Sequence, residues 1–174
     1  MQTRRAVFLD RDGVLNKAIV CNGKAYSPRS KEEFIIVDDA ADAVADLRDA
    51  GFKVFVVTNQ PDIARGFLSQ ADLKWMTEKI LSETYVDEVL VCPHDDHHKC
   101  ACRKPAPGML IECYQKWGID LLDSYMVGDG WKDMEAGKNA GCKCILIDAE
   151  YNKGVPADWC ANSLVEAVKI ILGR

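Results

Sequence analysis

Apolar runs of strand length alternate along this chain with stretches whose apolar residues recur at helical spacing. Ala6-Val7-Phe8-Leu9 has no polar break and reads as a strand buried on both faces. Lys53-Val54-Phe55-Val56-Val57, Glu88-Val89-Leu90-Val91, Tyr125-Met126-Val127 and Lys143-Cys144-Ile145-Leu146-Ile147 repeat that reading. Between them, Ala40, Ala43, Val44, Leu47 and Ala50 keep helical register after a cap at Asp38 or Asp39, and Gly51 ends the helix. Ser69 with Asp72 opens a second helix carrying Leu73, Met76 and Ile80, and Pro107 stands where a first helical turn before Met109, Leu110 and Cys113 tolerates it. A fourth helix runs to Asn139 and closes at Gly141, and Ser163 with Glu166 forms a capping box for a last helix through Leu172. Asn22-Gly23 signals a hairpin, a small flap inside the connection from Val14 to Lys31. Asp148 to Asn162 reads as loop. Strands alternating with single helices imply right-handed crossovers, so the expected fold is α/β, a doubly wound and mainly parallel sheet.

The polar residues gather where the strands end. Asp10 and Asp12 follow the first strand, Thr58-Asn59-Gln60 the second, Arg103 and Lys104 stand in the third strand-to-helix connection, and Asp129 and Asp133 follow the fourth. In a parallel sheet all these ends lie on one edge, so groups distant in sequence converge on one crevice. Asp10 and Asp12 cannot both be bare buried anions, which calls for a cation beside them or a proton on one of them. One carboxylate can attack phosphorus while the other gives and takes a proton. Asp10 and Asp129 offer the hard oxygen ligands that Mg²⁺ accepts, and Lys104 with the Thr58 hydroxyl can balance the charge of a transferring phosphoryl group.

Composition sharpens this picture. The 174 residues fit one domain spanning 1–174, and 48% hydrophobic with 28% charged residues is ordinary for a globular chain. No run approaches the length of a membrane span, and Met1-Gln2-Thr3-Arg4-Arg5 does not resemble a secretory leader, so a cytoplasmic protein is expected. A net charge of -5 argues against nucleic acid and membrane surfaces as partners. Three of the eight cysteines, Cys92, Cys100 and Cys102, stand with His94 within eleven residues, enough for a closed tetrahedral Zn²⁺ site of structural type. A metal there would also hold the adjacent Arg103 and Lys104 in place. His97 and His98 are competing ligands, and Cys21, Cys113, Cys142, Cys144 and Cys160 are read as packing residues.

Asp10-x-Asp12-Gly13-Val14, Thr58-Asn59-Gln60, Arg103-Lys104-Pro105 and Gly128-Asp129 through Asp133 together resemble the four motifs of the haloacid dehalogenase-like phosphatases, over nearly the whole chain. The resemblance implies a Rossmann-like fold in which Asp10 is the nucleophile of an aspartyl-phosphate and Asp12 the general acid and base. It places Thr58 and Lys104 on the transferring group, and Mg²⁺ between Asp10, the backbone carbonyl of Asp12, and Asp129. The cysteine loop narrows the likeness to a subgroup without a large cap domain that acts on heptose bisphosphates or on histidinol phosphate. Ile63-Ala64-Arg65-Gly66 resembles the heptose enzymes more closely, although Pro61-Asp62 stands where they usually have Ser-Gly. A small phosphorylated substrate is therefore expected, bound by Asn59, Gln60, Arg65 and Arg103, with guanidinium forks suiting a second phosphate. The amine of histidinol would instead need a free carboxylate such as Asp62. A receiver-like phospho-acceptor switch is the competing class, disfavoured because Asp12 supplies the acid and base that make turnover fast. The enzyme is expected to be a monomer.

Overall fold

The computed structural model describes residues 4–174. Met1 to Thr3, the start of the stretch read as unlike a secretory leader, lie outside the described residues. Among the described residues, eight strands and five helices follow in the order β1 (Ala6–Leu9), β2 (Ile19–Cys21), β3 (Lys24–Tyr26), α1 (Ala40–Asp49), β4 (Lys53–Asn59), α2 (Gln70–Thr84), β5 (Glu88–Cys92), α3 (Gly108–Trp117), β6 (Tyr125–Gly128), α4 (Trp131–Ala140), β7 (Lys143–Ile147), β8 (Trp159–Ala161) and α5 (Leu164–Leu172). Short 3₁₀ turns cover Asp96–His98 and Glu150–Asn152.

Six strands form one parallel sheet in the order β5-β4-β1-β6-β7-β8. Its layers follow from the two-residue period of the strands. Val7 and Leu9 of β1 pack with α1, α2 and α5 on one face, while Ala6 and Phe8 pack with α3 and α4 on the other. All four side chains are fully buried, and Phe8 stacks on Phe55 of β4 with ring centroids 5.6 Å apart. Cutting Phe8 back to alanine would cost ~3–5 kcal/mol, through the packing forfeited and the cavity left behind.

The strand order reverses at β1, whose neighbours β4 and β6 belong to crossovers running in opposite directions. A crevice therefore opens outside the carboxyl ends of β1 and β6, the place where such sheets bind ligands. The connection from β1 to α1 holds no large inserted domain; it carries the two-stranded hairpin β2-β3, turned by Asn22 and Gly23 with φ of 49° and 72°. Among the described residues, no helix is long and apolar enough to cross a membrane.

Some local expectations are corrected. The stretch expected to be loop from Asp148 to Asn162 contains β8, whose three residues Trp159–Ala161 add an edge strand parallel to β7. A run this short has no period of its own and is a strand only because β7 offers it hydrogen bonds. Neither Asp38 nor Asp39 caps α1 through its side chain. Ser163 does accept the Glu166 N–H at α5, but Glu166 reaches back to the N–H of Asn162 instead of closing the box on Ser163. Cys113, Cys142 and Cys144 are buried, and burial pushes these thiols up to about 12, 12 and 11, as packing residues should be. Cys21 and Cys160 are exposed instead.

Candidate active site

Asp10 lies one residue beyond β1, its N–H bonded to the carbonyl of Val127 in β6 at 2.9 Å, so the two strands flanking the crevice fix its backbone. Its Oδ1 accepts from the Arg11 N–H at 2.8 Å and from Lys104 Nζ at 2.8 Å. The chain then turns sharply through Gly13, whose φ of +84° suits glycine and whose missing Cβ leaves room for the Asp129 carboxylate. That close approach brings the ends of β1 and β6 together.

Lys104 is the cation at the centre. Nearly fully buried at 2% exposure, it donates to Asp10 Oδ1, to the Val57 carbonyl at 2.7 Å and to Asp133 Oδ1 at 2.5 Å. Burial opposes its charge, but Asp10 and Asp133 outweigh that and hold its pKa above the ordinary lysine value. Asn59, at the end of β4, clamps the Lys104 backbone from both sides: Oδ1 accepts the Lys104 N–H and Nδ2 donates to the Lys104 carbonyl, each at 3.0 Å. Asp133, in the first turn of α4, also accepts the Gly130 N–H at 3.0 Å.

Three carboxylates, Asp10, Asp129 and Asp133, gather within 4.8 Å of one another. Burial, then repulsion by Asp133, raises the pKa of Asp10 well above the usual carboxylate range and that of Asp129 to about 6. Lys104 offsets only part of this negative charge. The excess of hard oxygens in a buried pocket fits a divalent cation such as Mg²⁺, which would neutralise it. Tyr151 donates its hydroxyl to Asp129 Oδ2 at 2.5 Å, and Asn152 donates to the Asp129 carbonyl at 2.8 Å.

Asp12 turns to different partners. Burial works against its charge, but the Arg11 guanidinium, with hydrogen bonds from Asn16, Ser27 and Gln60, holds its pKa below the usual value. Arg11 is itself buried, with Nε and Nη2 on Asp12 at 3.0 and 2.9 Å. Of the pair at the strand end, Asp10 is thus the one short of compensating charge.

Several expected substrate contacts sit elsewhere. Gln60 is fully buried and spends Nε2 on Asp12 Oδ2 at 2.8 Å and on Thr58 Oγ1 at 2.9 Å, so it supports two site residues from beneath. Arg65 grips Asp95 with two bonds of 2.7 Å and reaches Asp62 at 3.4 Å. Arg103 donates to Asp96 at 2.7 Å and to the His94 carbonyl at 3.3 Å. Neither arginine lines the cleft of about 250 Å³ above Asp10, whereas Tyr26, Ser27, Trp131 and Lys132 do. None of those four stands out in the sequence. Only Asp133, four residues after Asp129 and so one helical turn away, had a spacing that signalled its place.

The cysteine cluster forms beside the cleft. Cys102 Sγ lies 3.2 Å from Cys92 Sγ, 3.4 Å from Cys100 Sγ and 3.4 Å from His94 Nδ1, and Cys92 Sγ lies 3.6 Å from both Cys100 Sγ and His94 Nδ1. A tetrahedron of thiolates about 2.3 Å from a zinc ion has edges of about 3.7 Å, so four ligands of this type and spacing could hold a metal. His97 and His98 stay outside: they stack on each other at 4.0 Å, and His98 Nδ1 accepts the Asp95 N–H at 3.1 Å.

Residues 24–141 match the family model of the haloacid dehalogenase-like hydrolases. The chain is 35% identical to a D-glycero-beta-D-manno-heptose-1,7-bisphosphate 7-phosphatase of Yersinia pestis, over 99% of this chain and 98% of that one. It is 36% identical to the enzyme of the same name from Escherichia coli strain K12, over 95% and 93% of the two chains. The crystal structure of a D,D-heptose 1,7-bisphosphate phosphatase from B. bronchiseptica, complexed with magnesium and phosphate, superposes with a TM-score of 0.83 at 29% identity, covering 97% of this chain and 98% of that one.

Proposed function

The chain belongs to the haloacid dehalogenase-like hydrolase family, and on that premise we propose that it is a Mg²⁺-dependent phosphatase that removes the 7-phosphate of D-glycero-D-manno-heptose 1,7-bisphosphate. The observation that carries this reading is the setting of Asp10. Lys104 and the Arg11 N–H fix Oδ1, which leaves Oδ2 without a protein partner among the described residues and able to act as the nucleophile. Asp10 attacks phosphorus, the bond from phosphorus to the sugar oxygen breaks, and Asp12 delivers a proton to the leaving alkoxide. Asp12 then takes a proton from water, which attacks the aspartyl-phosphate and frees Asp10. The Arg11 pair keeps Asp12 in the anionic state that this second step needs. The first step needs its protonated form, which the negative charge of an incoming phosphate favours. Lys104 and the Thr58 hydroxyl, which accepts from Gln60 and so keeps its proton to donate, would meet the charge that develops on the phosphoryl oxygens.

Asp10, Asp129 and the Asp12 carbonyl would hold Mg²⁺, which when bound supplies Lewis-acid stabilisation of the phosphoryl group. Zn²⁺ on Cys92, His94, Cys100 and Cys102 would be structural, since four protein ligands leave no open position. Asp62, the carboxylate that histidinol phosphate would call for, is 6% exposed and already paired with Arg29 at 2.7 Å and with Arg65, which disfavours that substrate. The test is kcat/KM with Mg²⁺ for heptose 1,7-bisphosphate, histidinol phosphate and a simple aryl phosphate. The bisphosphate should lead; a lead for histidinol phosphate overturns the assignment.

A further inference from the structure

A bisphosphate brings a second anion of charge about -1.5 to -2 to a protein whose own net charge is -5 and whose cleft floor is acidic. Some cation at the mouth has to receive it. Among the described residues lining the cleft, the cations are Lys104 and Lys132. Lys104 is buried and consumed by Asp10 and Asp133. Arg65 and Arg103 line no part of the cleft, and freeing Arg65 from Asp95 would sacrifice two bonds of 2.7 Å.

Lys132 is differently placed. Its contact is Asp96 Oδ1 at 3.4 Å, and that carboxylate is 70% exposed and already takes Arg103 at 2.7 Å. An exposed ion pair of this kind is largely screened by solvent, so exchanging Asp96 for a phosphate costs little. Next to it stands Trp131, 52% exposed although it lines the cleft, and the Lys132 ammonium lies 5.7 Å from its ring centroid. Gly130 before them offers no side chain, so these two residues are the first that α4 presents at the cleft. Tyr26 of the β2-β3 hairpin lines the same space. An open indole beside an ammonium suits a sugar carbon skeleton carrying a phosphate: the ring takes the C–H faces and the ammonium the anion.

We propose that Trp131 and Lys132 form the distal subsite, with Lys132 holding the phosphate that is not hydrolysed and Trp131 supporting the sugar. The proposal rests on the bisphosphate reading of the active site. It makes both residues determinants of specificity, and it moves recognition of the second phosphate from the arginines to α4.

The experiment compares kcat/KM for heptose 1,7-bisphosphate and heptose 7-phosphate in the wild type, Lys132→Ala, Lys132→Arg and Trp131→Ala, all with Mg²⁺. Removing a charge-assisted hydrogen bond to substrate at an open site corresponds to roughly a ten- to hundredfold decrease. Lys132→Ala should therefore lower the preference for the bisphosphate over the monophosphate by that factor, chiefly through KM. Lys132→Arg should restore most of the preference. Trp131→Ala should raise KM for both sugars while altering their ratio little. If the wild type prefers the bisphosphate and Lys132→Ala keeps the preference, the subsite is overturned and the substrate assignment stands. If the wild type hydrolyses neither heptose phosphate better than an aryl phosphate, the substrate assignment falls and the subsite falls with it.

Discussion

Tyr151 donates its hydroxyl to Oδ2 of Asp129 across 2.5 Å, joining the turn after β7 to the carboxylate at the end of β6. The bond favours the charged form of Asp129, whose pKa burial and Asp133 nevertheless raise to about 6. A carboxyl whose folded pKa is raised contributes stability at pH below its unfolded value near 3.8, and that contribution is lost as pH rises through about 6.

Without Mg²⁺ the fold should thus lose stability between about pH 4 and pH 6 on account of Asp129, and bound Mg²⁺ should recover it. The rise in Tm on adding Mg²⁺ should be larger at pH 7.5 than at pH 5.5. Tyr151→Phe should raise the Asp129 pKa further and weaken Mg²⁺ binding at pH 7 roughly tenfold or more. An equal Tm increment at both pH values, or unchanged Mg²⁺ affinity in Tyr151→Phe, would contradict this account of the metal site.

Gln60 separates two roles. As a support for Asp12, its replacement by leucine should lower kcat about tenfold with little change in KM, and it should cost much less again in an Asp12→Asn background, where kcat has already fallen by about 10²–10⁴. A rise in KM alone would instead make Gln60 a substrate contact.

Protein produced with zinc available should carry one zinc ion per chain by elemental analysis. Cys102→Ser, which removes the thiol nearest the other three ligands, should cost about 2 kcal/mol or more, ~4–8 °C in Tm for a chain of this length. It should also lower activity through a loosened Lys104, which follows the cysteine loop in sequence. A zinc-free native protein of undiminished stability would rule the site out.

What could be read from the sequence was what sits at the ends of long apolar runs. Asp10, Asp12 and Asp129 follow, and Thr58 stands near the end of, strands whose burial the pattern makes plain, and a parallel sheet carries all such ends to one edge. The cluster of Cys92, His94, Cys100 and Cys102 was legible because its four members stand at short spacings in one loop. Pairings across long separations were not. Arg65 and Asp95 lie thirty residues apart, and nothing local says whether a guanidinium faces a substrate or a neighbouring acid. Lys132 likewise reads as an ordinary surface lysine until α4 is seen to begin at the cleft. β8 and Tyr151 fall in a stretch without periodicity, ordered by β7 and by Asp129.

If Asp10 takes the phosphoryl group from carbon 7 of a heptose bisphosphate, ³¹P NMR will follow each of the two phosphates through the reaction. With Mg²⁺ and heptose 1,7-bisphosphate, the wild type should release inorganic phosphate while the signal of the anomeric phosphate persists, and Asp10→Asn should release none above background. Loss of the anomeric signal in place of the 7-phosphate signal, or near-native release by Asp10→Asn, would contradict the account.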